Sequence, residues 1–356
     1  MNEYYTTYTL SNEYTNGVKV KPNFFFIFII FCIYLFIYFP INDSLILIGA
    51  ILISYIIFKI NLFKYLSLLP IILIFGYVIF KRDQGLQEDV EIFFKNFNIV
   101  GHRGSIENAP ENTIAAFLEA YDVGADGIEF DVTLSYDKIP IIIHDDTLDR
   151  TCNATGRVEN FNASYLRSLD CGITKKNDSI GRHIHRIPLL DEVIKFSKKR
   201  SMKMIFDIKD YSDDMIHHLA NIFERENIYQ LGMVSSFFPQ VIYKLKGINP
   251  RIITGYTWGA GDFSTKKHNG NFTFIDRTLD YLNVIGAHSF LGKFLGANIL
   301  LTKVDDITPY FVKQQNFLGL RIGAWTVNTP KTVKWMKNNL NVTVLSDYPS
   351  MYTKDD

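Results

Sequence analysis

The chain has no excess of charge of either sign: 37 Lys and Arg residues are balanced by 37 Asp and Glu, and no long basic run occurs. A nucleic-acid surface needs clustered cations, so the composition argues against that partner. Cysteine is scarce, three residues in 356, too few for a disulfide scaffold to replace a core. Cys32 sits in an apolar stretch, while Cys152 and Cys171 stand either as a pair in an oxidising lumen or as two loop thiols. Charge is also missing locally. Between residues 24 and 80 the only charged side chains are Asp43, Lys59 and Lys64, and Ile, Leu, Phe and Tyr fill most of the rest.

That local deficit divides the chain. Residues 24–41 form one uncharged apolar run, the length of a slightly short membrane-spanning helix. A cleaved signal peptide fits less well, because the polar residues 1–23 precede the run and no small-residue cleavage site follows it. Residues 44–58 and 65–80 are further apolar runs, read as two short spans or as a re-entrant hairpin. If all three segments cross, Lys19, Lys21, Lys59 and Lys64 fall on one side, which the positive-inside tendency makes cytoplasmic; Lys81 and Arg82 pull weakly the other way. The expected organisation is a cytoplasmic tail over 1–23, a transmembrane region of two to three helices over 24–80, a connecting amphipathic helix over 81–97 and a soluble domain over 98–356. Such a protein is embedded in the lipid bilayer with its domain lumenal or extracellular. Acceptor triplets for N-glycosylation at Asn153, Asn162, Asn177, Asn271 and Asn341, the first three in one loop, favour the same side.

From Asn98 onward strand and helix patterns alternate, the signature of a parallel sheet with helical crossovers. Strands are expected over 98–101, 127–133, 139–143, 203–208, 232–236, 251–256, 297–302, 321–327 and 342–346. Helices are expected over 112–123, 189–200, 212–226, 238–246, 307–316 and 330–339. Nine strands are one too many for a (β/α)8 barrel, and the short turn around Asp137 marks the irregular member, so a distorted TIM barrel is expected. Leu86, Val90, Phe93, Phe94 and Phe97 recur at helical spacing and predict a helix plugging its base. Insertions at 145–187 and 257–296 follow strands and are candidates for substrate selection or a lid.

In such barrels the chemistry sits at the strand ends. Glu129 and Asp131, two apart on a strand, point to the same face, and Asp207 follows the apolar run Met204, Ile205, Phe206. Converging carboxylates repel unless a cation binds, and hard oxygen donors favour Mg2+ or Ca2+. His102 and His144 each follow an apolar strand beside other charged groups, a placement suited to an acid/base pair. The other six histidines, His183, His185, His217, His218, His268 and His288, are read as structural. Arg103 and Lys209 are placed to hold phosphate oxygens.

Residues 100–149, VGHRGSIENAPENTIAAFLEAYDVGADGIEFDVTLSYDKIPIIIHDDTLD, resemble the glycerophosphodiester phosphodiesterase family, and the similarity continues through IPLLDEVI, IFDIK, VSSF, WTVN and SDYP. Within it, SFFPQVIYKLK, RIITGYT and Asp207 in place of the commoner Glu look most like the membrane-anchored animal members that hydrolyse glycerophosphoinositol. The resemblance implies a divalent metal on Glu129, Asp131 and Asp207, His102 and His144 as acid and base, Arg103 and Lys209 on the phosphate, and Trp325 as an aromatic at the mouth. Glu111 and Asn112 sit in the family's PENT segment; Asn112 can equally be read as a helix cap, and Glu111 as a first-turn charge or a supporting group. The implied activity is hydrolysis of a glycerophosphodiester to glycerol 3-phosphate and an alcohol. The alternative is a lysophospholipase D acting on a lysophospholipid.

Overall fold

A computed structural model describes residues 49, 52–56, 68–173, 184–261 and 273–352. The expected tail, the first apolar run, most of the second, and Asn177, Asn271, His183 and His268 lie outside the described residues.

Nine strands form one sheet: β1 (Ile99–His102), β2 (Gly127–Leu134), β3 (Pro140–Ile142), β4 (Lys203–Ile208), β5 (Gly232–Ser236), β6 (Ile253–Trp258), β7 (Ile299–Lys303), β8 (Arg321–Trp325) and β9 (Thr343–Ser346). Eight of them are parallel and close into a barrel, because β1 pairs with both β2 and β9. β3 is the supernumerary strand, antiparallel to β2 with Val132 opposite Ile142. The intervening turn is pinned by Ser135, whose Oγ donates to Asp137 at 2.6 Å and accepts from Ile139 N at 3.0 Å. So short a link allows a hairpin but no parallel crossover.

Local sequence starts and stops the crossover helices where expected, to within about two residues. Thr113 Oγ1 caps Ile114–Asp122 by accepting from Ala116 N at 3.2 Å, and Ser212 Oγ caps Asp213–Glu226 from Met215 N at 3.3 Å. Proline opens Pro239–Ile248, Pro309–Phe317 and Pro330–Leu340, where its missing N–H costs nothing.

Among the described residues, the buried apolar side chains form four clusters, three built on the barrel and one, with Leu148 and Leu166, centred on the 145–187 insertion. Phe117, Phe130, Phe206 and Phe223 stack between one side of the sheet and its helices, with ring centroids 5.0–5.7 Å apart from neighbour to neighbour. Burying each such ring contributes about 1.5–3 kcal/mol. Trp258, Leu300, Phe311 and Ile322 fill the opposite side. Inside the barrel, Val100, Ile205, Met233, Ile253, Ile299, Leu301 and Leu345 meet Val90, Phe93 and Phe97 from the helix Gln87–Phe94 and the turn after it. That helix closes the barrel below, so the interior opens only at the strands' C-terminal ends.

The third apolar run appears as the helix Leu69–Phe80, with no buried residue and with Ile72, Leu73, Phe75 and Phe80 about 60% exposed. Its 12 residues fall short of a span, and among the described residues no helix is long and apolar enough to cross a membrane. The following segment is fastened to the barrel: Arg82 stacks over Tyr243 at 4.0 Å, and Gln84 O accepts from Lys246 Nζ and Asn298 Nδ2 at 2.9 and 2.8 Å. Of the two insertions, 145–187 is stapled by a Cys152–Cys171 disulfide. The other contains the helices Phe274–Ser289 and Leu291–Leu295, the first opened by a Thr273/Asp276 capping box.

Candidate active site

Strand register assembles the acidic cluster. Asp131 of β2 lies opposite Asp207 of β4, and Glu129 lies opposite His102 of β1, so groups far apart in sequence meet in two successive layers at the barrel mouth. Glu129, Asp131 and Asp207 are all buried, and each offers an oxygen within 4.8 Å of the others. Lys209 answers part of their charge, with Nζ 2.6 Å from Asp207 Oδ2 and 3.0 Å from Asp131 Oδ1. Asp207 Oδ1 also accepts from Ser235 Oγ at 3.1 Å. Asn112 forms a reciprocal pair with Asp131, donating Nδ2 to Oδ2 at 2.7 Å and accepting from Asp131 N at 3.2 Å. Asn112 is therefore not the cap of the next helix; Thr113 is, and Asn112 orients a carboxylate.

Burial opposes ionisation of Glu129 and Asp131, and the neighbours divide them. At Asp131 the cations Lys209 and Arg103 outweigh burial and hold the carboxyl well below the usual range. At Glu129 burial, reinforced by the negative charges of Asp131 and Asp207, pushes the carboxyl well above it. A cluster of hard oxygens with one member under-compensated fits a divalent cation of the Mg2+ or Ca2+ type.

The turn after β1 carries the other half of the site. Arg103 (φ 59°) and Gly104 (φ 90°) are both left-handed, and a Cβ at Gly104 would meet Ala116 at 2.7 Å, so only glycine fits there. The turn aims Arg103 N at Glu129 Oε2 (2.9 Å) and its guanidinium at Glu111 Oε1 (2.8 Å), with Nε 3.4 Å from Asp131. Glu111 is thus a support for Arg103 as well as a partner of Arg150.

Each candidate histidine is held at Nδ1 by a carboxylate, which turns Nε2 toward the reaction space. His102 Nδ1 is 2.7 Å from Asp347 Oδ1, and His144 Nδ1 is 2.7 Å from Asp145 Oδ1. The two environments differ. Burial of His102 disfavours its proton, but the Asp347 hydrogen bond and the Glu129 charge overcome it, so its pKa rises. Burial of His144, with Arg103 and Lys209 nearby, outweighs Asp131 and Asp145, so its pKa falls. The two carboxylates are also held differently: Asp145 is gripped by Arg150 through Nε at 2.6 Å and Nη2 at 3.0 Å, whereas Asp347 Oδ2 accepts from a neutral amide, Asn328 Nδ2, at 2.7 Å.

Trp325 ends β8, with its indole N–H on Leu301 O at 3.0 Å and its ring edge-on to Phe237 at 5.4 Å. Lys209 sits 5.5 Å from the Phe237 ring, which places Trp325 on the rim of the same site. All eight candidate residues are therefore brought to one end of the barrel. His288, by contrast, is wedged between Trp258 and Phe311 and is structural. A cavity of about 630 Å³ along Ile114, Arg186, Lys195 and Phe196 contains none of the eight. Sequence reasoning missed Asp347, Asp145, Arg150, Ser235 and the role of Asn112.

Residues 102–351 match the Glycerophosphoryl diester phosphodiesterase family. The chain belongs to that family. It is 30% identical to Glycerophosphodiester phosphodiesterase 1 of Mus musculus over 261 residues, 70% of this chain and 77% of the mouse protein. It is also 30% identical to the Putative glycerophosphodiester phosphodiesterase YhdW of Bacillus subtilis, covering 72% of this chain and 97% of that one. Among solved structures, an Oleispira antarctica phosphodiesterase in complex with the product sn-glycerol-3-phosphate is similar, with a TM-score of 0.58 and 25% identity over 71% of this chain and 94% of that one. The protein is a phosphoric diester hydrolase on a TIM barrel, and its acidic triad offers a site for a divalent metal.

Proposed function

We propose that the enzyme hydrolyses glycerophosphodiesters of the glycerophosphoinositol kind to glycerol 3-phosphate and an alcohol, with His144 as general base and His102 as general acid. The observation that carries this is the opposite tuning of the two imidazoles around one carboxylate cluster: environments that push two titratable groups apart assign the acid and the base. Glu129, Asp131 and Asp207 would hold a divalent cation, which supplies charge neutralisation at phosphorus and acidity to the attacking hydroxyl. Arg103 and Lys209 hold the phosphate oxygens and stabilise the charge that builds on them. His144 Nε2 takes the proton of the attacking oxygen, whether the glycerol 2-hydroxyl or water, and His102 Nε2 delivers one to the departing alkoxide. If the 2-hydroxyl attacks, a cyclic phosphate results, and the same pair with roles exchanged admits water to open it.

A lysophospholipase D is the second reading, favoured by the helix Phe274–Ser289 after β6, where Phe274 is 85% and Ile275 66% exposed and free to meet an acyl chain. A detergent-matched comparison of glycerophosphoinositol with a lysophospholipid separates the two. The leading reading expects at least tenfold higher kcat/KM on the glycerophosphodiester; a lysophospholipid preference replaces it with the second.

We also propose a bilayer anchor within residues 24–80, with the barrel on the lumenal or extracellular side. The support is the uncharged run 24–41, the exposed apolar helix Leu69–Phe80, the Cys152–Cys171 disulfide, which belongs to oxidising compartments, and the exposure of Asn153, Asn162 and Asn341. Expressed in a eukaryotic cell, the protein is expected to migrate faster after glycosidase treatment, with the shift reduced by Asn153→Gln and Asn162→Gln. Protease digestion of the barrel from the cytosolic face of sealed vesicles would contradict this arrangement.

A further inference from the structure

Arg150 touches neither the carboxylate cluster nor the space above it, yet it joins the two halves of the site. Its Nε and Nη2 reach Asp145 at 2.6 and 3.0 Å, and its Nη1 and Nη2 reach Glu111 at 2.7 Å each. Asp145 in turn holds His144 at 2.7 Å, and Glu111 holds Arg103 at 2.8 Å. One planar guanidinium thus spans a chain of contacts from the imidazole on one side to the phosphate-directed cation on the other, using the fork geometry that Lys lacks.

Its own backbone is tightly placed. Cys152 N bonds Leu148 O at 2.9 Å, Leu148 N bonds Gly156 O at 3.0 Å, and Cys152 is cross-linked to Cys171. Arg150 therefore projects from a stapled turn rather than from a free loop, although its side chain is 45% exposed.

We propose that Arg150 is a positioning residue for the reaction: its guanidinium locks the His144–Asp145 pair and the Glu111–Arg103 pair into one unit, so that base and phosphate clamp keep a fixed separation. The inference rests on the proposed roles of His144 and Arg103. The bidentate grip sets Asp145 against His144, which also faces Asp131 of β2, Arg103 of the β1 turn and Lys209 after β4. Loss of the Arg150 cation would leave the Asp145 charge uncompensated beside the imidazole, which would then hold a proton more readily.

The test uses the full-length protein with saturating Mg2+. Arg150→Gln is expected to lower kcat by about 10- to 100-fold, the range seen when a group supporting a ligand or catalytic residue is removed, and to move the acid limb of the kcat/KM profile to higher pH. Arg150→Lys should retain more activity than Arg150→Gln, and added guanidinium ion should partly rescue Arg150→Ala. A separate readout is acylation of His144 by diethyl pyrocarbonate, which attacks neutral imidazole, followed by mass spectrometry across pH; its midpoint should rise in Arg150→Gln. An unmoved midpoint together with no guanidinium rescue overturns the proposal, even if activity is lost. If instead His144→Ala retains turnover while the midpoint moves in Arg150→Gln, the link from Arg150 to His144 stands and the assignment of His144 as base fails.

Discussion

His102→Ala and His144→Ala are each expected to lower turnover on the order of 10²-fold or more while the protein stays folded, the loss typical of a general acid or base. Because the two act on one proton path, the double variant should lose less than the product of the single losses. The pH profile checks the assignment of roles. Neutral His144 and protonated His102 are both required; His144 lies below its ordinary value and His102 above its own. The kcat/KM profile should therefore be a bell, the acid limb belonging to His144 and the basic limb to His102. Asp347→Asn keeps the bond to His102 but removes the charge that raises its pKa, so it should draw the basic limb to lower pH. If that limb stays in place, Asp347 does not tune the acid. A folded variant of either histidine with near-normal turnover makes that histidine structural.

The bond between His102 and Asp347 also shows where sequence reading stops. Those residues are 245 positions apart and become neighbours only because β1 pairs with β9 at Gly101 and Ser346. Nothing in the alternation of apolar and polar residues states which strands close a barrel. Glu129 and Asp131, in contrast, were legible at once, since a spacing of two on a strand with apolar flanks fixes their common face. The crossover helices were equally readable from their prolines and caps. Asn112 is open to two readings in the sequence, a site residue or a helix cap, because Asn is a good cap and Thr113 beside it is another; the 2.7 Å bond to Asp131 decides between them. Arg150 and Asp145 lay in a polar insertion with no periodicity, where charge pairs at short spacing are common and most are solvated. The helix Phe274–Ser289 is legible only as part of a hydrophobic stretch around Leu279 to Leu295, inside an insertion outside the strand–helix alternation, and in the fold it buries only Asp276, Gly286 and Ala287. The Thr-x-x-Asp signature of its capping box was present from the start.

Removal of divalent metal should abolish measurable hydrolysis, and Mg2+ or Ca2+ should restore it. Three buried carboxylates whose oxygens lie within 4.8 Å have Lys209 and Arg103 as their permanently charged cationic neighbours among the described residues, and those two are the groups proposed to hold the phosphate. A site that spends its cations on its own carboxylates has little left for the developing charge at phosphorus. With a divalent ion held by the triad, Lys209 would be free for that task, and several kcal/mol of transition-state stabilisation would be added, on the order of 10³-fold in rate at about 1.4 kcal/mol per decade. Asp131→Asn should reproduce the loss without restoration by metal, since the amide keeps the shape and a bond to Asn112 but gives up the charge. Thermal melting supplies a check independent of turnover. Saturating Mg2+ should raise the Tm of the wild-type enzyme, because a ligand of the folded state alone stabilises it by mass action, and should leave Asp131→Asn nearly unmoved. Full hydrolysis in excess chelator would sink the assignment of the triad, whereas a metal-dependent Tm with metal-independent hydrolysis would make the bound ion structural rather than catalytic.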